Sequence, residues 1–501
     1  MRWVLIRPLC RSLFYDPETQ EPLGLEYLSS VLKKAGHQAL ILDNTLDNLE
    51  DIKLARRAAS FQPDAAGFSI TTGRELDSVE NITSELRRML KGRQVLWMAG
   101  GNYPTTEHES ALRELPEDFH ILKYDGEISI LKISRLWEEG LIDTLPRLIN
   151  GEPQIELDEL PFPERPYSHY LKNFGWAFNL QGSRGCCSAC KYCASSGMRG
   201  NLTAWRGRSP ESMANEIAFL YTACSARSFN FVDEDFLGPP VRALERAKKF
   251  SEEITRRRLQ ITFGIQVRPN SLSEEVIDYL VKAGLKYVFM GIESDNPCDF
   301  KIWGRAFCHK TWTWVEYLQG KGIEVNAGTL LFHPDCSFEG IRRFATNLRQ
   351  YGLLNYRTAS NRLDGMPGSF FHKKYMSEHP EETSPGIIRL PFVNQAIEPF
   401  YKTVLNVLAP IEIPSMHALC IMPIVQTRRI FSSSEEEYLS LKKINADCDN
   451  KVASCFFSIL EMYENESYSE QRTGELLNDN IRFGKTIMER LVENGFIHET
   501  V

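Results

Sequence analysis

The chain has 501 residues, 43% of them hydrophobic and 25% charged. This is ordinary for a globular protein and too long for one compact core, so two to four domains are expected. A formal net charge of −8 and a pI near 5.8 give no general attraction to phosphate backbones, despite the local basic run Arg256, Arg257, Arg258, and argue against nucleic acid as a partner.

The opening MRWVLIRPLCRSLF breaks a four-residue apolar run with Arg7 and Pro8. Neither a secretory nor a transit peptide is read there, and a cytoplasmic location is expected. Residues 1–144 then alternate short apolar runs with helical patterns, as a doubly wound, Rossmann-like α/β domain does. RWVLIRP, HQALILDN, DAAGFSIT and QVLWMAGG are the strand candidates, with GLEYLSSVLKKAG and ELDSVENITSELRRMLKG the clearest helices. Sheets of this kind bind ligands at the carboxyl ends of their strands. That singles out Thr71, Thr72 and Gly73 after the third strand, and Gly100, Gly101 and Asn102 after the fourth.

Residues 145–172 turn rich in Pro, Glu and Asp and read as an extended linker. A second α/β series fills 173–375, with strands NLQGS, SFNFVDED, ITFGIQVR, YVFMGIES, EVNAGTLLF and RTASNRLDG. Six strands alternating with helices predict a partial (β/α)6 barrel, whose function sits on loops at the strand carboxyl ends. Residues 376–501 form a mostly helical C-terminal domain. Its apolar stretch at 404–425 is interrupted by Pro410, Glu412, Pro414 and Pro423, so it is read as buried or as a pocket wall, with no membrane span. The segment ELLNDNIRFGKTIMERLVENGFIHETV has the pattern of the last helices and β-wing of a winged-helix unit, here read as a structural cap.

Twelve cysteines without a secretory signal suggest metal or redox chemistry in a reducing compartment. GSRGCCSACKYC at the end of the first barrel strand spaces Cys186, Cys190 and Cys193 as CxxxCxxC. Thiolates hold iron–sulfur clusters, and three of them leave one iron of a 4Fe-4S cluster open to another ligand. The competing readings are a zinc knuckle, which wants four ligands in two separated pairs, and Cys187 as a rival ligand.

The motif and its surroundings resemble the radical S-adenosylmethionine (SAM) superfamily. FVDEDF (Phe231–Phe236) is similar to the acidic end of that barrel's second strand, GIES (Gly291–Ser294) to its ribose-contacting fourth strand, and MPGS (Met366–Ser369) to the turn after its sixth. The resemblance implies that Cys186, Cys190 and Cys193 hold a 4Fe-4S cluster whose open iron takes the amino and carboxylate groups of SAM. It also implies that Glu293 and Ser294 reach the ribose, and that Asp233 and Glu234 face the SAM amino end or the substrate. Arg268 is a further contact candidate, and Arg305 a weaker one. The third strand ends Arg268-Pro269-Asn270 where relatives carry R-x-D.

PLGLEYLSSVLKKAGH, LILDN, MAGGNYP and DGEISI resemble the cobalamin-binding domain that precedes the barrel in one subgroup. Two departures stand out: the usual GEGE run is Tyr124-Asp125-Gly126-Glu127, and Tyr103 follows the glycine pair where small residues are usual. The resemblance implies SAM, a 4Fe-4S cluster and cobalamin as cofactors, a small-molecule or natural-product substrate, and an electron donor of the flavodoxin or ferredoxin type. SAM would be reductively split to a 5′-deoxyadenosyl radical that abstracts hydrogen, followed by cobalamin-dependent methylation of an sp³ carbon. The alternative is a radical dehydratase or rearrangement enzyme on a sugar- or aminoglycoside-type substrate, with a vestigial first domain. A non-catalytic sensor and a transfer-RNA-modifying enzyme are further readings; the GIES motif argues against the first, the acidic balance against the second.

Overall fold

The computed structural model describes residues 1–9, 21–174, 176–199, 205–381, 386–432 and 435–497. The chain forms two compact units, each built from two separated stretches: Met1–Ser225 with Met366–Ile388, and Ala226–Gly365 with Arg389–Val501.

In the first unit six parallel strands, β1 (Arg2–Arg7), β2 (Gln38–Asp43), β3 (Ala65–Ser69), β4 (Leu96–Gly100), β5 (Phe119–Lys123) and β6 (Leu148–Asn150), lie in the order β2-β1-β3-β4-β5-β6. The run Trp3-Val4-Leu5-Ile6 is buried throughout because helices cover both sheet faces. Val4, Ile6, Ala66 and Phe68 pack on one side with Leu54, Ile82 and Leu86. Trp3, Leu5 and Ala65 pack on the other with Leu25, Leu32 and Ile130. The order turns between β1 and β3, which opens a crevice at the carboxyl ends.

Two of these strands escaped the sequence reading. β5 hides in the mixed run FHILK, and β6 lies inside the stretch read as linker, where Pro and Glu outweigh its three residues. The unit continues through β7 (Phe178–Leu180) to a two-residue antiparallel pair, β8 (Ser183–Arg184) with β9 (Arg206–Gly207).

In the second unit β10 (Ser228–Phe231), β11 (Thr262–Val267), β12 (Leu285–Glu293) and β13 (Glu324–Thr329) lie side by side, all parallel. Helices Pro240–Arg256, Glu274–Ala283 and Thr311–Gly320 alternate with them, and Phe338–Gln350 follows β13. The predicted sixth strand RTASNRLDG is instead a short helix, Tyr356–Ser360, followed by a single parallel bridge between Arg362 and Phe332. Asn355 turns the chain into that helix through a capping box with Thr358.

Three long helices, Ile397–Ser432, Glu435–Glu464 and Glu470–Glu493, complete the unit. No strand occurs among the described residues after Arg389; the segment read as the end of a winged-helix unit is helical through Glu493, and its last residues, 498–501, lie outside the described residues. The first helix buries one face, with Phe400, Val404, Val407, Leu408, Ile411 and Ala418 recurring every three or four residues while Lys402, Asn406 and Ile413 are exposed. Residues Ile397–Met422 have the length and composition to cross a membrane, yet Phe400, Val404, Val407, Leu408 and Ile411 are all fully buried within the unit. Its prolines are accommodated by neighbours. Pro414 has no N–H for the Pro410 carbonyl, and Gly484 of the third helix lies so close to that oxygen that a Cβ would come within 2.3 Å.

Candidate functional site

The cysteine loop starts from β8. Gly185 takes φ 84°, a left-handed turn that a side chain would strain, and Cys186 follows. Cys186 and Cys193 are half-buried, Cys190 is buried and Cys187 is exposed. The Ser188 N–H donates to Cys186 Sγ at 3.4 Å, and the Cys193 N–H to the Cys190 carbonyl at 3.1 Å. The donor set fits an iron–sulfur cluster: three thiols on one eight-residue loop, with Cys187 set apart by its exposure. Among the described residues no three His, Cys, Asp or Glu side chains are gathered into a metal-holding group.

The MPGS turn seats this loop. Gly368 has φ 86°, and its position leaves room for no Cβ on Gly197, which would lie 2.5 Å from the Gly368 carbonyl. A Cβ on Gly368 itself would meet Thr106 Cγ2 at 3.0 Å. The Phe371 N–H donates to the Lys191 carbonyl at 3.2 Å, and the Lys191 ammonium lies 5.4 Å from the Phe370 ring centre. The short helix Asn102–Thr106, which begins just beyond β4, therefore stands beside the turn following the cysteines.

At the carboxyl ends of β3 and β4, Thr71, Thr72, Gly73, Gly101 and Asn102 are exposed and Gly100 is half-buried. Glu75 accepts from the N–H groups of Thr71 and Thr72 at 2.9 and 3.3 Å. The two loops are tied together by Ile70 N–H to the Gly100 carbonyl, 2.8 Å, and Tyr103 N–H to the Ile70 carbonyl, 3.1 Å. Gly101 has φ 104°, and a Cβ there would lie 2.7 Å from the Ile70 oxygen; only glycine fits. Tyr103 lies beneath this rim, buried. Its ring packs against Gly73 within the core, and its hydroxyl donates to Glu114. An exposed rim with glycines at the strand ends fits close backbone approach by a large cofactor.

In the second unit the predicted acids sit at the strand ends. Asp233 is buried and Glu234 half-buried. Asp235, one residue further, is fully buried and takes Arg268 Nε at 2.9 Å and Nη2 at 2.8 Å. Burial pushes the Asp235 carboxyl above its ordinary range, while Arg268 pulls it back only in part. Arg268 also donates to the Gly238 carbonyl at 3.0 Å, so its guanidinium is engaged within the protein.

Glu293 ends β12 with φ 64° and accepts from Arg305 Nη1 at 2.5 Å, while Arg305 Nη2 donates to the Gly291 carbonyl at 2.6 Å. A Cβ at Gly291 would stand 2.9 Å from both side chains. Ser294 donates to Asp299 at 2.5 Å and accepts from the Asn296 N–H, so its hydroxyl organises the turn after β12. A cleft of about 150 Å³ opens beside it, lined by Asp299, His333 and Cys336 among others. Asp299 stands 3.5 Å from His333 Nε2, and burial lowers the His333 pKa. The sequence reading passed over Asp235, Asp299 and His333. The Asp235–Arg268 and Asp299–His333 partners are 33 and 34 residues apart, and no local spacing signals such pairs.

With this geometry in place, comparisons with known proteins agree with it. Residues 17–129 match the model of the B12 binding domain, and residues 180–367 that of the radical SAM superfamily. An uncharacterised methyltransferase of Pyrococcus horikoshii is 28% identical over 306 residues, 58% of this chain and 64% of that protein. The hopanoid C-3 methylase of Methylococcus capsulatus is 23% identical, over 68% of this chain and 66% of its own. The chain thus spans less than two thirds of these relatives' length. Among solved structures, the cobalamin-dependent SAM radical enzyme OxsB, with aqua-cobalamin and SAM bound, superposes with a TM-score of 0.74 at 16% identity, covering 100% of this chain and 82% of that one. The radical SAM methyltransferase TsrM of Kitasatospora setae gives 0.61 at 18%, covering 77% and 79%. These likenesses establish the shared fold. The two family matches imply a 4Fe-4S cluster, SAM and cobalamin as cofactors. The chain thus joins a B12 binding domain, residues 17–129, to a radical SAM superfamily domain, residues 180–367.

Proposed function

We propose that this chain is a cobalamin-dependent radical SAM methyltransferase acting on an sp³ carbon of a small molecule. The observation that carries the reading lies within one unit: the cysteine loop and the strand-end loops of the B12-type sheet share the neighbourhood of Gly368, Gly197 and Thr106. When bound, the three cofactors supply a hydrogen-abstracting radical and a methyl carrier. The protein's work is to bind, align and exclude water.

In this proposal Cys186, Cys190 and Cys193 hold the cluster, and Glu293, kept in place by Arg305, bonds the SAM ribose. Thr71, Thr72, Gly100, Gly101 and Asn102 cradle the corrin. Asp233 and Glu234 face the SAM amino end or the substrate. We assign Arg268 to holding Asp235, and Ser294 to shaping the turn after β12. The reading places the module boundaries near residues 144, 172 and 375, and takes electrons from a flavodoxin- or ferredoxin-type donor.

Anaerobic reconstitution with iron, sulfide and hydroxocobalamin tests this. Roughly four irons and stoichiometric corrin per chain are expected, with 5′-deoxyadenosine formed on reduction and a labelled methyl group passing from SAM to product. A second reading, rearrangement or cyclisation, is favoured by one relative, the anaerobic magnesium-protoporphyrin IX monomethyl ester cyclase of a Synechocystis strain, 26% identical. SAM cleavage without corrin retention would select it. Bound iron without any 5′-deoxyadenosine, with a suitable substrate present, would leave a sensor.

A further inference from the structure

The β8–β9 pair closes the cysteine loop at its base, Ser183 opposite Gly207 and Arg184 opposite Arg206. Both arginines reach the loop after β5. Arg184 makes a two-pronged pair with Glu127, Nη2 to Oε1 at 2.5 Å and Nη1 to Oε2 at 3.2 Å, and its Nη1 stands 3.3 Å from Asp125 Oδ2. Arg206 Nη1 donates to the same Asp125 oxygen at 2.7 Å and to the Gln154 carbonyl at 2.5 Å. Arg184 Nε donates to Gln181 at 2.8 Å, and the guanidinium lies 5.6 Å from the Tyr27 ring centre. These four charged side chains are only 6–17% exposed.

Two cations and two anions balance here, and a buried balanced pair adds little net stability over apolar packing. What a bidentate guanidinium–carboxylate pair does supply is direction. Its ends are well chosen for that. Glu127 is the first residue of the helix Glu127–Glu138, anchored on the B12-type sheet. Arg184 is separated from Cys186 only by Gly185, whose backbone would otherwise swing freely. The Asp125-Gly126-Glu127 run, in which Asp125 stands for the first glutamate of the usual GEGE, is thereby occupied by the cysteine hairpin.

We propose that Arg184, backed by Glu127, is a positioning residue that sets the distance and orientation of the cysteine loop relative to the strand-end loops of the cobalamin-binding sheet. The proposal rests on the methyltransferase reading above. The test uses the full chain, reconstituted, as wild type, Arg184→Gln, Arg184→Lys and Glu127→Gln. Pulsed electron paramagnetic resonance reads the distance between reduced cluster and cob(II)alamin, and hydrogen exchange of residues 185–193 is followed in the protein before reconstitution. Both Gln variants are expected to retain iron and corrin but to broaden the distance distribution and speed loop exchange. A roughly 10- to 100-fold slower formation of 5′-deoxyadenosine should accompany this, with Arg184→Lys in between.

Folded Gln variants with unchanged distance and exchange would overturn the proposal. So would loss of fold in both, which would make the pair merely structural. Wild type that holds cluster but no corrin, or cleaves no SAM, would instead remove the methyltransferase reading itself.

Discussion

Cys187 is exposed while Cys190, three residues on, is buried, and the proposed function takes Cys186, Cys190 and Cys193 as the cluster ligands. Replacing Cys186, Cys190 or Cys193 singly by Ala is expected to lower bound iron from about four per chain towards zero and to abolish 5′-deoxyadenosine formation. Cys187→Ala should keep both, as iron assay and chromatography will show. A second residue-scale test concerns Glu26, a fully buried carboxylate with neither oxygen hydrogen-bonded among the described residues. Burial pushes its pKa well above the ordinary 4.5, Glu21 adds to this, and Arg165 opposes it. The folded state therefore holds a proton that the unfolded chain gives up. The stability this confers is complete below pH 4.5 and is lost as pH rises towards the folded value. Glu26→Gln does not titrate, so its advantage over wild type should grow through that window by up to about 1.4 kcal/mol per pH unit. Urea midpoints measured at several pH values check this.

At the scale of elements, glycines mark where helices and loops touch. Gly484→Ala would drive a methyl group onto the Pro410 carbonyl and should cost about 1–3 kcal/mol, read as a lower urea midpoint. Gly101→Ala meets both a positive φ and the Ile70 oxygen, so it should weaken the β3–β4 loop junction and with it corrin retention. Gly24, on the exposed face of the helix Leu23–Lys34 with nothing near it, behaves oppositely. Gly24→Ala is expected to stabilise by about 0.5–1 kcal/mol. Strands whose apolar runs are buried on both faces, β1 to β4, were legible in the sequence for that reason. β6 and the helix Tyr356–Ser360 were not: the first is three residues long, and the second is decided by the Asn355–Thr358 cap.

The whole molecule consists of two units with separate cores, each assembled from two stretches of chain. Urea unfolding is accordingly expected to depart from a single two-state transition. Non-coincident curves from far-ultraviolet circular dichroism and from fluorescence, with Trp97→Phe and Trp303→Phe separating the units' signals, would demonstrate it. Local chemistry was readable without coordinates. The members of each motif, the cysteine run, the strand-end glycines, GIES and FVDEDF, lie within a few residues of one another, so the linear order alone names the candidate donors and the α/β class. Pairings between distant residues depend on how the chain returns on itself. Arg184 with Glu127, Asp235 with Arg268, Glu26 with Arg165 and Gly484 with Pro410 were therefore decided only by the tertiary structure. A buried charge or a missing Cβ gains its meaning from a neighbour that sequence distance does not reveal.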